Sequence, residues 1–200
     1  MTQTKIRAFS VIMESALTSL PIKLIVSIAS SHAWDYVHIK IGSLYYNLNA
    51  SAYTAEVTCE YACSRDNYAE AKSLSIPAMV EYMGNTFRVT GIGDAAFAYC
   101  KSLMSVAIPQ GITRVGVYAF YHCRNLRSVS IADGLTTIGD CAFAICRNLK
   151  TFICLVDTSP TVGMLTFGCV HTATVALYIP QGCEQTYSAV KPWKYFRICT

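Results

Sequence analysis

Residues 92–154 repeat one pattern three times, at a fixed period of 23 positions. The three copies read IGDAAFAYCKSLMSVAI, VGVYAFYHCRNLRSVSI and IGDCAFAICRNLKTFIC. Apolar side chains at such fixed offsets cannot be buried by one coil, so each coil must be covered by its neighbours. The pattern therefore predicts a solenoid whose structural positions form four columns: Gly93, Gly116, Gly139; Phe97, Phe120, Phe143; Cys100, Cys123, Cys146; Leu103, Leu126, Leu149.

The spacing inside each copy narrows the fold class. Leu103, Val106 and Ile108 follow the L-x-x-L-x-L spacing, which is typical of leucine-rich repeats with one short strand per coil. The glycine of each copy suits either a bend with positive φ or a place where another backbone passes closely. The alanine before each phenylalanine leaves room for the ring.

The whole unit, I-G-x-x-A-F-x-x-C-x-x-L-x-x-V-x-I-P, resembles the BspA-like leucine-rich repeat, a bacterial cell-surface family. The resemblance extends over residues 45–198. It implies a leucine-rich-repeat solenoid of four to five coils, β-rich with short helical turns and capped at both ends. It also implies a binding role towards host matrix proteins or other cells.

We predict one domain in four segments: a signal or extension segment (1–33), an amino-terminal β cap (34–75), the repeats (76–179) and a carboxy-terminal cap (180–200). Alternating residues predict cap strands over 36–41, 44–48 and 54–58. Met83-Gly84-Asn85 predicts a hairpin turn ahead of the first regular coil. At the other end we expect a short helix over 183–190, followed by Trp193 as a plug on the last coil.

The first 33 residues contain no membrane span, because Glu14, Pro21 and Lys23 interrupt the apolar residues and about 18 in a row are needed. Lys23, the run LIVSIA and then Ser-His-Ala, ending at Ala33, instead favour an export signal cleaved after Ala33. The alternative is an unprocessed, disordered or lightly packed extension.

Ten cysteines raise the question of disulfides, yet Cys100, Cys123, Cys146 and Cys169 fall in one column of the repeat. Strands of neighbouring coils lie about 4.8 Å apart, which a disulfide could span. We favour a reduced ladder, since small apolar thiols suit a core column. Cys59 and Cys63 could meet over one turn, but no second pair completes a metal site, so we expect neither metal nor cofactor.

Signals for other kinds of chemistry are weak. Gly91 to Ala96 satisfies a loose G-x-G-x-x-A string, but the repeat accounts for it and no crossover helix follows. His122 and Cys123 are adjacent and should point apart, so they are no nucleophile pair. We therefore predict a protein that is not an enzyme. The net charge of +4 is too small to indicate a nucleic-acid partner.

Positions between the buried ones should project outward. There Lys101, Arg124 and Arg147 share one column and Arg127 and Lys150 share the next, and we call these five residues the basic stripe. It is either a solvated face or, with Asn125, Asn148, Ser105 and Ser128 beside it, a docking surface for a protein or acidic glycan on host or neighbouring cells. We predict a secreted or cell-surface adhesion module. The alternative is an intracellular, cytoplasmic scaffold with reduced cysteines.

Overall fold

The computed structural model of the protein describes residues 36–60, 68 and 71–200. The predicted signal segment 1–33 and Cys63 therefore lie outside the described residues. The described chain forms two sheets whose buried side chains belong to one hydrophobic core. The regular coils contribute one strand to each sheet, so the core runs between the sheets.

The first sheet begins with antiparallel strands and continues as a parallel stack. Its strands are β1 (Tyr36–Ile41), β2 (Leu44–Asn49), β3 (Thr54–Thr58), β5 (Met79–Tyr82), β6 (Asn85–Ile92), β8 (Arg114–Val115), β10 (Thr137–Ile138) and β12 (Thr161–Val162). The order is β1-β2-β3-β6-β8-β10-β12, with β5 paired antiparallel to β6. The turn between β5 and β6 confirms the hairpin predicted around Gly84.

The second sheet is parallel throughout. Its strands are β4 (Ser73–Ser75), β7 (Ser105–Ile108), β9 (Ser128–Ile131), β11 (Thr151–Cys154), β13 (Ala176–Tyr178) and β14 (Arg197–Cys199). Ser105 pairs with Ser128, and Ser128 pairs with Thr151, so both steps equal the repeat period. The step is longer where Thr151 pairs with Ala176. The regular repeat therefore ends at β11.

The phenylalanine column forms the centre of the stack. Ring centroids of Phe97 and Phe120 lie 5.1 Å apart, as do those of Phe120 and Phe143, and both pairs are stacked. Phe167 continues the column at 5.7 Å from Phe143. Each ring is covered by the ring of the next coil. The column therefore confirms that the coils bury their apolar side chains only together.

Four turn segments, residues 93–99, 116–122, 139–145 and 163–169, connect the two sheets within successive coils. They are hydrogen-bonded turns, and the helices of the described residues lie further on: α1 (Glu184–Ser188) and two 3-10 helices at Thr172–Thr174 and Trp193–Tyr195. Each turn segment has two left-handed residues: Ala95, Tyr99, Tyr118, His122, Cys141, Ile145, Leu165 and Cys169. Bulky residues rarely adopt this conformation, so tertiary contacts must impose it.

Hydrogen bonds between coils supply that constraint. Phe97 N–H donates to the Ala119 carbonyl and Tyr99 N–H to the Tyr121 carbonyl, each at 2.7 Å. In the first three turn segments every second N–H thus bonds to the following coil, and the left-handed residues keep this alternation.

The glycine column is explained by close backbone approach. A Cβ on Gly139 would lie 2.6 Å from the Val117 nitrogen and 2.7 Å from the Gly116 carbonyl carbon. Gly116 has the same kind of contact with Gly93 and Asp94, and neither Gly116 nor Gly139 has a positive φ. The passing backbone, and not a left-handed bend, therefore accounts for glycine at these positions.

The assignment of Cys169 to the thiol column was wrong. The step from Phe143 to Phe167 is one residue longer than the repeat period, because the chain has one extra residue ahead of the fourth turn segment. Cys169 is exposed and left-handed like Ile145. Val170 instead occupies the column position, since its N–H bonds to the Phe167 carbonyl as Cys146 N–H bonds to that of Phe143.

Aromatic residues pack at the carboxy-terminal end of the stack. Trp193 is fully buried, and its Nε1–H donates to the Pro160 carbonyl at 3.0 Å. Helix α1 falls inside the predicted 183–190, and its Tyr187 is buried against Trp193. The segment boundaries at 33, 75 and 179 stay predictions.

Candidate binding surface

All five residues of the basic stripe are exposed and lie at one side of the second sheet. Lys101, Arg124 and Arg147 each follow the thiol column by one residue, and Arg127 and Lys150 directly precede β9 and β11. The Lys150 N–H donates to the Arg127 carbonyl at 2.9 Å, so these two residues are stacked neighbours. The structure thus brings the predicted residues together in two adjacent columns.

The second column is longer than the sequence indicated. The Arg127 N–H donates to the Met104 carbonyl and the Met104 N–H to the Lys72 carbonyl, each at 2.8 Å. The column therefore reads Lys72, Met104, Arg127, Lys150, with a 39% exposed methionine between cations. Sequence reasoning missed Lys72 because the β5–β6 hairpin makes its separation from Met104 longer than the repeat period.

The asparagines beside the stripe have a structural role. The Asn125 side-chain amide donates to the Lys101 carbonyl, and that of Asn148 to the Arg124 carbonyl, each at 2.8 Å. These amides join one coil to the preceding one, as the backbone hydrogen bonds between coils do. Among the serines, Ser105 Oγ donates to Ser73 Oγ at 3.1 Å. These polar groups therefore contribute to coil stacking, which reduces what they can offer a partner.

The positive charge of the stripe is not neutralised by ion pairs. Within the part of the chain that the structure describes, the ion pairs join Arg114 to Glu56 at 2.8 Å and to Asp94 at 3.6 Å, beside the first sheet. Like charges repeated in columns, with no carboxylate between them, produce a positive surface potential that attracts anions.

Tyrosine rings and a histidine border the first column of the stripe. Tyr99 lies 5.4 Å from Tyr121 and 5.0 Å from His122, measured between ring centroids. Arg124 Nη2 donates to His122 Nε2 at 2.9 Å. Tyrosine beside arginine is a common combination at protein interfaces. The members of this cluster do not share one column of the repeat, because Tyr99 aligns with His122 and not with Tyr121. The repeat spacing therefore could not predict the cluster.

His122 provides a direct test of the stripe's electrostatics. Its pKa is lowered from the ordinary 6.5, first by burial and then by the charges of Arg124, Lys101 and Arg147. We expect Arg124→Gln to raise this pKa, because the substitution removes a positive charge and a donor that favours the neutral ring. An NMR titration of the His122 ring measures it. Lys150→Gln is the matched control and should leave the pKa unchanged; a pKa equally unchanged in Arg124→Gln would contradict the assignment.

Beneath this surface, the thiols form a buried ladder. The Cys123 S–H donates to the Phe97 carbonyl at 3.1 Å and the Cys146 S–H to the Phe120 carbonyl at 3.2 Å. Burial raises the pKa of Cys100 and of Cys146 to about 12 and moves the pKa of Cys123 in the same direction. The thiols of Cys100, Cys123 and Cys146 are not joined in disulfides. The ladder residues are therefore protonated core groups. They do not have the properties of a nucleophilic cysteine, which reacts as the thiolate.

Two other kinds of site are absent over residues 36–60, 68 and 71–200. No group of three or more His, Cys, Asp or Glu side chains there could hold a metal ion. No helix there has the length and apolar character needed to cross a membrane.

Solved structures with the same fold come from several bacteria. A leucine-rich repeat protein of Bacteroides ovatus is 28% identical, with a TM-score of 0.58 over 72% of this chain and 36% of that chain. One from Bacteroides capillosus is 26% identical, with a TM-score of 0.58 over 72% of this chain and 98% of that one. The leucine-rich repeat protein of T. pallidum, at 18% identity and a TM-score of 0.50, shares the fold over 72% of each chain.

The chain thus spans about a third of the Bacteroides ovatus protein and almost the whole of the Bacteroides capillosus protein. No curated protein matches the sequence. A family model described as a BspA type leucine rich repeat region matches residues 66–188 with six copies. Leucine-rich repeats generally form non-catalytic protein-interaction surfaces. Since the model matches more than half of the sequence, this chain belongs to the BspA-type leucine-rich-repeat family.

Proposed function

We propose that the protein is a non-catalytic adhesion or recognition module that binds an acidic partner through the basic stripe. The observation that carries the proposal is the stacking of exposed cations in two columns without a neutralising carboxylate among the described residues. Tyr99 and Tyr121 add aromatic surface at the border of the stripe. The fold supports the same role, because a solenoid offers an extended face to its partner.

The geometry of the stripe favours a linear polyanion. Neighbouring coils place equivalent cations about 4.8 Å apart along the stack, the spacing of adjacent strands. An acidic glycan or an acidic protein segment on a host or neighbouring cell could place successive negative charges along this axis. Electrostatic complementarity of this kind mainly raises the association rate and weakens with salt.

The test uses the full chain with immobilised heparin as the acidic glycan and polyglutamate as the acidic polypeptide. Arg124→Glu with Arg147→Glu should weaken binding about tenfold or more at low salt, because it replaces two attractive charges with repulsive ones. The matched control is Arg88→Glu with Lys194→Glu, which changes net charge equally at exposed positions outside the stripe.

The outcomes separate a site from a general charge effect. A loss confined to the stripe variant supports the proposal. An equal loss in the control shows that only net charge matters, and intact binding in the stripe variant excludes the stripe; either result would overturn the proposal.

For location, we propose export with cleavage after Ala33, which would place the module on the cell surface or in the medium. A second candidate is an intracellular scaffold, and the observation that favours it is the ladder of buried, free thiols. The intact mass of protein from native cells, measured without reductant in each cell fraction, decides between them. A chain that begins at Trp34 in the envelope or medium supports export, whereas an uncleaved chain found only in the cytosol supports the scaffold.

A further inference from the structure

The turn segments bond to one another by a regular exchange of backbone groups. In three successive interfaces, N–H groups at alternate residues donate to carbonyls at alternate residues of the next coil. For the third interface the donors are Cys141, Phe143 and Ile145, and the acceptors are Met164, Thr166 and Gly168 at 2.7–3.0 Å. A turn segment therefore has one edge of N–H donors, which is satisfied by an extended chain whose alternate carbonyls point towards it.

That edge is open on the last turn segment, residues 163–169. The N–H groups of Leu165, Phe167 and Cys169 have no acceptor within the described chain. Strand β12 is the last of the first sheet, while the second sheet continues through β13 and β14. The first sheet therefore ends before the second one does. This leaves a row of backbone donors unpaired at its end.

The side chains along this edge are apolar. Met164 is 75% exposed and Leu165 is 70% exposed, more than any other large apolar residue of the described chain. In the earlier coils the position of Met164 is held by Asp94, Val117 and Asp140. Natural edge strands are usually protected by charged residues or proline, which stop other chains from pairing with them. Residues 163–169 contain neither, so their apolar side chains are left for a partner strand to cover.

A groove of about 450 Å³ runs beside the edge. Residues 162–168 line it, together with Val170, Thr172, Lys191, Pro192 and Tyr195. Lys191 is exposed, and none of the described residues that line the groove carries a carboxylate. The groove therefore combines unpaired backbone donors, an apolar wall and one uncompensated positive charge.

We propose that this groove binds an extended peptide segment of another protein by addition to the open edge. The segment supplies carbonyls at alternate residues to Leu165, Phe167 and Cys169, and an apolar side chain covers Met164 and Leu165. A carboxylate of the segment faces Lys191. Addition of a strand to an open sheet edge is an established mode of peptide recognition. The site is separate from the basic stripe, so neither proposal depends on the other.

The probe is a synthetic peptide with the sequence of residues 138–145, IGDCAFAI, used with reductant and the full chain. In this protein those residues pair with the equivalent edge of turn segment 116–122. There the carbonyls of Asp140, Ala142 and Ala144 accept from the N–H groups of Tyr118, Phe120 and His122. Residue-resolved amide exchange should be fast at Leu165, Phe167 and Cys169 in the free protein. The peptide should slow it about tenfold or more, and a peptide with lysine in place of the aspartate should bind about fivefold more weakly.

Protein variants locate the binding. Met164→Asp with Leu165→Asn should weaken the peptide about tenfold or more, because the variant removes the apolar contact. Asparagine tolerates the left-handed backbone of residue 165, where φ is 51°, so the turn is preserved. Met79→Asp, at a 52% exposed methionine far along the sheet order, is the matched control and should bind as the wild type does.

Four results would overturn the proposal. The first is a peptide that leaves the edge amides unprotected, and the second is an equal loss of binding in the control variant. Protection of these amides in the dilute free chain would show that the chain's own residues cover the edge. Protection that grows with protein concentration would assign the edge to a second copy. The variant Arg124→Glu/Arg147→Glu should bind the peptide normally, which separates failure here from failure of the stripe.

Discussion

Replacing Phe120 with alanine is expected to lower the free energy of unfolding by about 3–5 kcal/mol. The ring is fully buried and lies stacked between Phe97 and Phe143 at 5.1 Å on each side. Its removal leaves a cavity at an interface between coils, where rigid backbone hydrogen bonds limit collapse. Chemical denaturation followed by circular dichroism measures the loss.

The control for this prediction is Phe120→Leu. Leucine fills most of the volume, so this variant should lower the free energy of unfolding clearly less. The coil of Phe120 is central, so we also expect amide exchange to accelerate in the coils on both sides, since a solenoid is stabilised through nearest-neighbour interfaces. An unchanged unfolding midpoint for Phe120→Ala would contradict the assignment of this column to the core.

Replacing Trp193 with alanine is expected to cost a similar amount, about 3–5 kcal/mol, with its effect at one end of the chain. Trp193 is fully buried, and its ring centroid lies 5.7 Å from Phe167 and 5.8 Å from Phe152. The substitution also removes the donor to the Pro160 carbonyl. Denaturation measures the total loss, and amide exchange should accelerate first in β13 and β14.

Trp193→Phe separates the two contributions. It retains an aromatic ring but leaves the Pro160 carbonyl without its donor, which should cost about 1–3 kcal/mol. Equal exchange rates in β13 and β14 for the wild type and Trp193→Ala would show that this residue does not secure the end of the stack.

The core columns could be predicted from the sequence because every coil repeats the same geometry. A residue type that returns at every period must occupy the same place in each coil, so the burial of Phe97, Phe120 and Phe143 followed from spacing alone. The reasoning failed where the period changed by one residue. Cys169 kept the spacing of the thiols but not their position, because Phe167 carries the core register.

The conformation of the turn segments could not be predicted from local preferences. Tyr118 and Ile145 are left-handed, which single residues of these types disfavour. Hydrogen bonds to the neighbouring coil impose that conformation, and such bonds exist only once the coils are stacked.

The candidate surfaces were only partly visible in the sequence. The stripe followed from repeat spacing, whereas Lys72 joined it through a hairpin that interrupts the period. The open edge at Leu165 depends on where the first sheet ends in space, and no residue pattern marks that.

The thiol ladder gives the molecule a set of internal probes of motion. Cys100, Cys123 and Cys146 stand in three successive coils, each buried with a raised pKa, so a thiol-alkylating reagent reaches them only when their own coil opens. Exposed Cys169 reacts without any such opening. The order in which mass spectrometry detects these labels would therefore read out, coil by coil, the path along which the solenoid comes apart.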